Sequence, residues 1–236
     1  MFLRQYWVLA GMIGLFVLVI GGASIYRQAT FQTQAWDLGI FDQLFWNTVH
    51  GRFMLSTIEE LPQHFGIHMS PMLLLLIPLY AFFQSPYTLL VTQTVAIAFG
   101  AVPLFFLACE ILKSRRLSYA VAGAYLLYPS LHSVALFDFH EIAFFIPLLI
   151  AGIYYVLMDR FFIGVLFLAL AACVREDAPL VIACFGITYA LVTWSKKGVL
   201  RGGGIAVAAL LYFLTISLWL MPARGGGLLR VDRYTD

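Results

Sequence analysis

Charge is scarce in this chain. Asp, Glu, Lys and Arg make up 11% of its 236 residues and 62% are hydrophobic, against roughly 25% charged and under half apolar in an ordinary soluble domain. So few ionic groups exclude a soluble globular domain and leave a polytopic membrane protein. The net charge of +2 points to no nucleic-acid partner, because the basic residues stand between apolar runs instead of forming one face or tail. Cysteine is scarcer still. Cys109, Cys173 and Cys184 show neither CxxC spacing nor an even count, which speaks against a disulfide framework and leaves packed apolar thiols. There is no HExxH pattern, no legible Ser/His/Asp or Cys/His nucleophile frame, no internal repeat and no low-complexity tract. The glycine triplets 202–204 and 225–227 lack the strand–helix frame of a phosphate cradle and read as loop punctuation.

What is present is long apolar runs. Those at 7–25, 87–112, 117–134, 142–158, 161–174, 178–194 and 205–222 predict an all-α integral membrane protein with about seven transmembrane helices, forming one domain over 1–236. No convincing cleavage site follows the first run, which is therefore expected to remain as the first helix. The run 70–83 reaches only ~21 Å at ~1.5 Å per residue, short of the ~30 Å hydrocarbon core. Pro71 and Pro78 interrupt it. It reads either as a broken span or as a helix lying in the interface after the first outer loop, 26–69, and the second, a juxtamembrane helix that does not cross, is the choice expected here.

Charge asymmetry supports that choice. If 70–83 does not cross, Arg4, Lys113, Arg115, Arg116, Arg160, Lys196, Lys197 and Arg201 collect on one side, and the compact clusters KSRR and SKKGVLR mark it as cytoplasmic. Arg27, Arg52, Arg175, Arg224, Arg230 and Arg233 then lie outside. The same choice puts all five histidines, Asp37, Asp42, Glu59, Glu60, the Asp138-Phe139-His140-Glu141 loop and the Arg175-Glu176-Asp177 turn on that outer side. One shared polar site follows, built on the only long polar interval, Asp37 to His68.

Each candidate has a plainer rival. Asp37 is a candidate base or metal ligand; with Asp42 it flanks an aromatic-rich segment in which Trp36, Phe41, Phe45 and Trp46 fit the membrane interface, the rival being a solvated aspartate pair. His64 and His68 are four apart, the spacing of one helical face, although Pro62 and Gly66 interrupt a helix there. They suit polar anchoring, with His68 a donor to an anionic group, better than zinc. Asp138, His140 and Glu141 offer two carboxylates and an imidazole for acid/base work or, with Asp37, oxygen ligands for a divalent cation such as Mg or Mn; helix capping is the rival for Asp138. Glu176 and Asp177 read as partners that neutralise a hairpin turn. Arg175, held among acids, suits bidentate contact with a phosphate.

The segments WDLGIFDQLFWNTVHGRF, HFGIHMSPMLLLLIPLYAFFQSP, ALFDFHEIAFFIPLL and CVREDAPLV, in this order and spacing, resemble the bacterial and archaeal membrane-protein family DUF2079, which is similar to the GT-C glycosyltransferase superfamily. The resemblance implies a prokaryotic inner-membrane protein that transfers sugar from a polyprenyl-phosphate donor on the non-cytoplasmic face. It implies that Asp37, just after the first helix, is base or metal ligand, that Asp138 and Glu141 form the second acidic motif, and that 70–83 is a juxtamembrane helix. Arg175, His64, His68, His140, Asp42, Glu176 and Asp177 would then serve the substrate. Family members are usually longer, so LLRVDRYTD reads as a loop with a C-terminal half expected beyond it. The competing expectation is an accessory subunit that reuses the scaffold within a complex of membrane proteins. A transporter fits less well, because the ionisable residues gather at one side and no repeat or pair of broken helices is visible.

Overall fold

The computed structural model describes residues 6–227. Arg4, Arg230, Arg233 and the LLRVDRYTD segment lie outside the described residues. Among the described residues the protein is all-helical, with no strand; the extended pairing it contains is an isolated antiparallel bridge between Leu55 and Gln63. Among the described residues three helices are long and apolar enough to cross a membrane: α1 (Trp7–Ala29), α4 (Pro86–Leu112) and α10 (Lys196–Arg224). Shorter apolar helices are α3 (Pro71–Phe82), α7 (Glu141–Leu157), α8 (Phe161–Ala172) and α9 (Ala178–Thr193). The remainder are α2 (Ile40–Val49) in the first loop, α5 (Arg115–Leu126) and α6 (Pro129–Leu136).

Local chemistry sets these boundaries. Ser85, Ser114 and Ser195 stand at the N-caps of α4, α5 and α10, their side chains accepting from Tyr87, Leu117 and Gly198 backbone N–H groups, which satisfies donors that a helix start leaves open. Pro86 and Pro129 occupy first turns, where proline costs no hydrogen bond. The apolar run 117–134 is accordingly two helices, since Pro129 cannot continue the ladder of α5. Lys113, Asp159 and Trp194 turn the chain with φ of 50°, 57° and 37°.

The expectation for the first glycine triplet is overturned. Glycines 202–204 lie inside α10, not in a loop, and the run expected at 205–222 is only part of that longer helix. Gly202 has a packing reason. α9 and α10 cross so closely that a Cβ on Gly186 would stand 2.7 Å from the Gly202 carbonyl oxygen, a contact only glycine permits. The triplet 225–227 does lie in a turn and loop after α10, as expected, and a Cβ on Gly226 would meet the Gly66 backbone, so the end of α10 packs against the first loop.

That loop has a core of its own. Phe41, Leu44, Phe45, Met54, Leu73 and Tyr80 are buried together with Leu89, Phe139 and Val174. Phe41 and Phe45, expected at the membrane interface, are inside this cluster, whereas Trp36 and Trp46 are exposed. Burying a side chain of this size is favourable by about 1.5–3 kcal/mol, enough to turn a polar interval into a platform. The helix α3 borders it at both ends: Met72 N–H donates to the Cys173 carbonyl at 2.8 Å, and the Tyr80 hydroxyl donates to Asp42 of α2 at 2.6 Å. At the opposite end of the helices, Arg115 lies over the Tyr6 ring and Asp159 pairs with Lys197 and Arg201.

Candidate functional site

Three chain segments meet beside the platform. The first loop contributes Trp36, Asp37, Glu59, Glu60, His64 and His68, the start of α7 contributes Glu141 and the residue before it, His140, and the turn between α8 and α9 contributes Arg175. Together with Ile40, Phe41 and Ile67 they line a cavity of about 350 Å³.

Each wall is tied to the next through side chains. Asp37 Oδ1 is 3.1 Å from His140 Nε2, and His140 Nδ1 faces the Asp138 carbonyl at 3.1 Å. Both partners are acceptors, so the ring serves both when each nitrogen carries a proton. Behind it, Gln93 of α4 is fully buried. Its Oε1 accepts from His140 N–H at 2.7 Å and its Nε2 donates to the Val134 carbonyl at 3.1 Å, which fixes the 137–141 turn.

Asp138 lies below the cavity rather than on it. It is 1% exposed; Oδ2 accepts from Gln34 N–H at 2.5 Å, while Oδ1 has no hydrogen-bond partner and stands 3.9 Å from Arg27 at the end of α1. It does not cap α7, whose N-cap has no side-chain bond. Its structural work is to close the first loop onto α1. Glu141 is the carboxylate of that motif which reaches the cavity; it is 4% exposed, and its charge acts on both His68 and Arg175.

The Arg175-Glu176-Asp177 turn divides its charges. Arg175 donates through Nε and Nη2 to both oxygens of Asp177. These bonds raise the Arg175 pKa against the opposing effect of burial, and the same bonds, outweighing burial, lower that of Asp177. One edge of the guanidinium is thereby occupied and the Nη1 side remains for an anion. Glu176 turns instead to the first loop, accepting from Met69 N–H at 3.1 Å and facing His68 Nδ1 at 3.0 Å. Burial pulls His68 down, but the bond and charge of Glu176, with Glu141, outweigh it and raise its pKa. Burial likewise raises Glu176, and the His68 bond and charge bring it below its usual value. His64 and His68 do not share a helix face beyond one turn at His64–Gly66; their rings are 6.0 Å apart, and His64 pairs with Glu59 at 2.9 Å.

Asp42 is not brought to the cavity. It holds the Tyr80 hydroxyl, and burial raises its pKa although that bond lowers it. Among the described residues no group of three or more His, Cys, Asp or Glu side chains is arranged to hold a metal ion. With Asp138 turned to Gln34 and Arg27, the set Asp37, Asp138 and Glu141 does not fit a divalent cation here. Gln93, Gln34 and Arg27 were missed as site supports. Only Gln93 left a signal, a lone amide within an apolar run, where polar groups are costly and tend to serve a function.

The sequence model of the family described as "Predicted membrane protein (DUF2079)" matches residues 27–234. Comparison with curated proteins and with solved structures returned no match.

Proposed function

The chain belongs to the DUF2079 family of predicted membrane proteins, and we propose that it is a GT-C-like glycosyltransferase. It takes a sugar from a polyprenyl-phosphate donor at the non-cytoplasmic face of a prokaryotic inner membrane. The observation that carries this reading is the meeting of Asp37, Glu141 and Arg175, far apart in sequence, around one cavity that also holds His68 and His140. Cations and carboxylates side by side suit a reaction that releases an anion and takes up a proton.

In the proposed reaction an acceptor hydroxyl attacks the anomeric carbon. The bond from that carbon to the phosphate oxygen breaks, and its electron pair leaves with the lipid phosphate. The free side of Arg175, with His68 and His140, stabilises the departing phosphate, and a base on the cavity wall takes the hydroxyl proton. The resemblance puts Asp37 in that role. No step is routed through a metal ion. An apolar groove of about 460 Å³ between α4, α7 and α8, lined also by Met72, is a surface compatible with an isoprenoid chain. The charge clusters at 113–116 and 196–201 support placing this cavity outside.

Binding of undecaprenyl phosphate to the purified chain in detergent, followed by quenching of tryptophan fluorescence, tests the reading. Saturable binding, weakened in Arg175→Ala, is expected, together with loss of sugar transfer in Asp37→Asn. Binding no tighter than that of undecaprenol would sink it. Stable co-purification with other membrane subunits, indifferent to changes at Asp37, Glu141 and Arg175, would establish the accessory-subunit reading instead.

A further inference from the structure

The transfer proposed above needs a proton acceptor, and one oxygen of Asp37 is already committed to His140. Glu141 lines the same cavity, and its charge acts on both Arg175 and His68. A third group on the same cavity wall has the arrangement of a base with its orienting partner. His64 Nδ1 is 2.9 Å from Glu59 Oε1. A carboxylate can only accept, so in the neutral ring the proton belongs on Nδ1 and Nε2 is left with a lone pair. The ring is also held by its surroundings: Phe41 meets it edge-on with centroids 5.4 Å apart, and His64 N–H donates to the Met54 carbonyl at 3.1 Å.

His64 is 1% exposed, yet its Nε2 has no hydrogen-bond partner, and neither has Glu59 Oε2. Buried polar atoms are almost always partnered. An imidazole lone pair and a carboxylate oxygen left without donors on the wall of a polar cavity are complementary to a ligand that brings hydrogen-bond donors, and hydroxyl groups are such donors.

We propose that His64, oriented by Glu59, is the proton acceptor for the hydroxyl substrate, and that Glu59 Oε2 binds a second hydroxyl of the same ligand. Resting on the transferase reading, this gives His64 the catalytic role and Glu59 a positioning and binding role. The hydroxyl proton moves to His64 Nε2 as its oxygen bonds to the anomeric carbon and the phosphate departs. Asp37 then orients His140, and the imidazole is what belongs to the anion-binding side.

The test uses the full chain with undecaprenyl-phosphate-linked hexose as donor and glycerol as hydroxyl acceptor. Turnover in His64→Gln should fall by roughly 100-fold, the scale of a lost general base, while undecaprenyl phosphate binding stays within about twofold of the unchanged protein. Nitrogen-15 spectra of histidine-labelled protein should show His64 protonated at Nδ1 alone. Glu59→Gln should redistribute that proton between the two nitrogens, and Glu59→Asp should restore the original form and part of the turnover. Full turnover in His64→Gln, or a His64 ring protonated at Nε2 and not Nδ1, overturns the assignment while leaving the transferase reading intact. If the unchanged protein neither binds undecaprenyl phosphate nor turns over the donor, the transferase reading falls and this role falls with it.

Discussion

The two ends of the helices handle charge in opposite ways. At the end formed by the 158–160 turn and the start of α10, Asp159 is paired by Lys197 and Arg201 in the open, with its side chain 65% exposed. At the cavity end, Asp138, Glu141 and His64 are almost wholly buried, and atoms of Asp138, Glu59 and His64 lack hydrogen-bond partners. Exposed ion pairs contribute little because water competes for both partners. Buried, incompletely paired groups cost stability. A fold that, among the described residues, carries the second kind at one end and only the first at the other has placed its costly chemistry at one site.

Substitutions can break or sharpen that contrast. The largest effect is expected from Asp138→Ala, which leaves Gln34 N–H without its acceptor and Arg27 without its counter-charge; a loss of about 3 kcal/mol should appear in the detergent unfolding midpoint. Gln93→Leu is expected to cost about 2 kcal/mol by stranding His140 N–H, with the turn before α7 exchanging its amide hydrogens faster. Arg175→Ala should weaken undecaprenyl phosphate binding about tenfold, in keeping with one lost charge-assisted contact, and should barely move the unfolding midpoint.

Acidity offers a finer probe. The His68 pKa is raised by folding, so its contribution is complete below the ordinary value of 6.5 and fades as pH rises through the folded value. Glu176 is lowered, so its contribution is complete above 4.5 and is lost as pH falls through its folded value. The tie between them is thus strongest between those two ordinary values, and stability should decline on either side. Since His68 is 40% exposed at its side chain, solvent screening limits the change to roughly a few tenths of a kcal/mol; Glu176→Gln should flatten the profile. Smallest of all, Asp159→Asn at the other end should leave the unfolding midpoint unchanged. A large loss there would erase the contrast.

The sequence made much of this legible because membrane chains advertise their exceptions. Against an apolar background, the loops holding Asp37, Asp138 and Arg175 stand out by composition alone, and charge clusters near helix ends group them without a contact map. Pro71 and Pro78 similarly marked 70–83 as an interrupted run, which the structure builds as a 3-10 turn leading into a short helix. Side-chain direction was not legible in the same way. Asp138 and Glu141 are three residues apart in one motif, but one turns down to Gln34 and Arg27 while the other meets the cavity. Nor does composition separate Phe41 and Phe45, packed in the loop core, from Trp36 and Trp46, which remain exposed.

The sequence by itself determined that this is an all-helical membrane protein of the DUF2079 family with its acidic and histidine-bearing loops grouped apart from its basic clusters, because apolar length and charge are properties of composition along the chain. Only the tertiary structure decided which of those groups are partnered and which are left open. Gly186 and Gly202 let two helices close up, Gln93 locks a turn from a neighbouring helix, and Glu59 orients His64 from five residues away. Hydrogen-bond satisfaction depends on distances of about 3 Å, and packing of elements remote in sequence fixes distances on that scale.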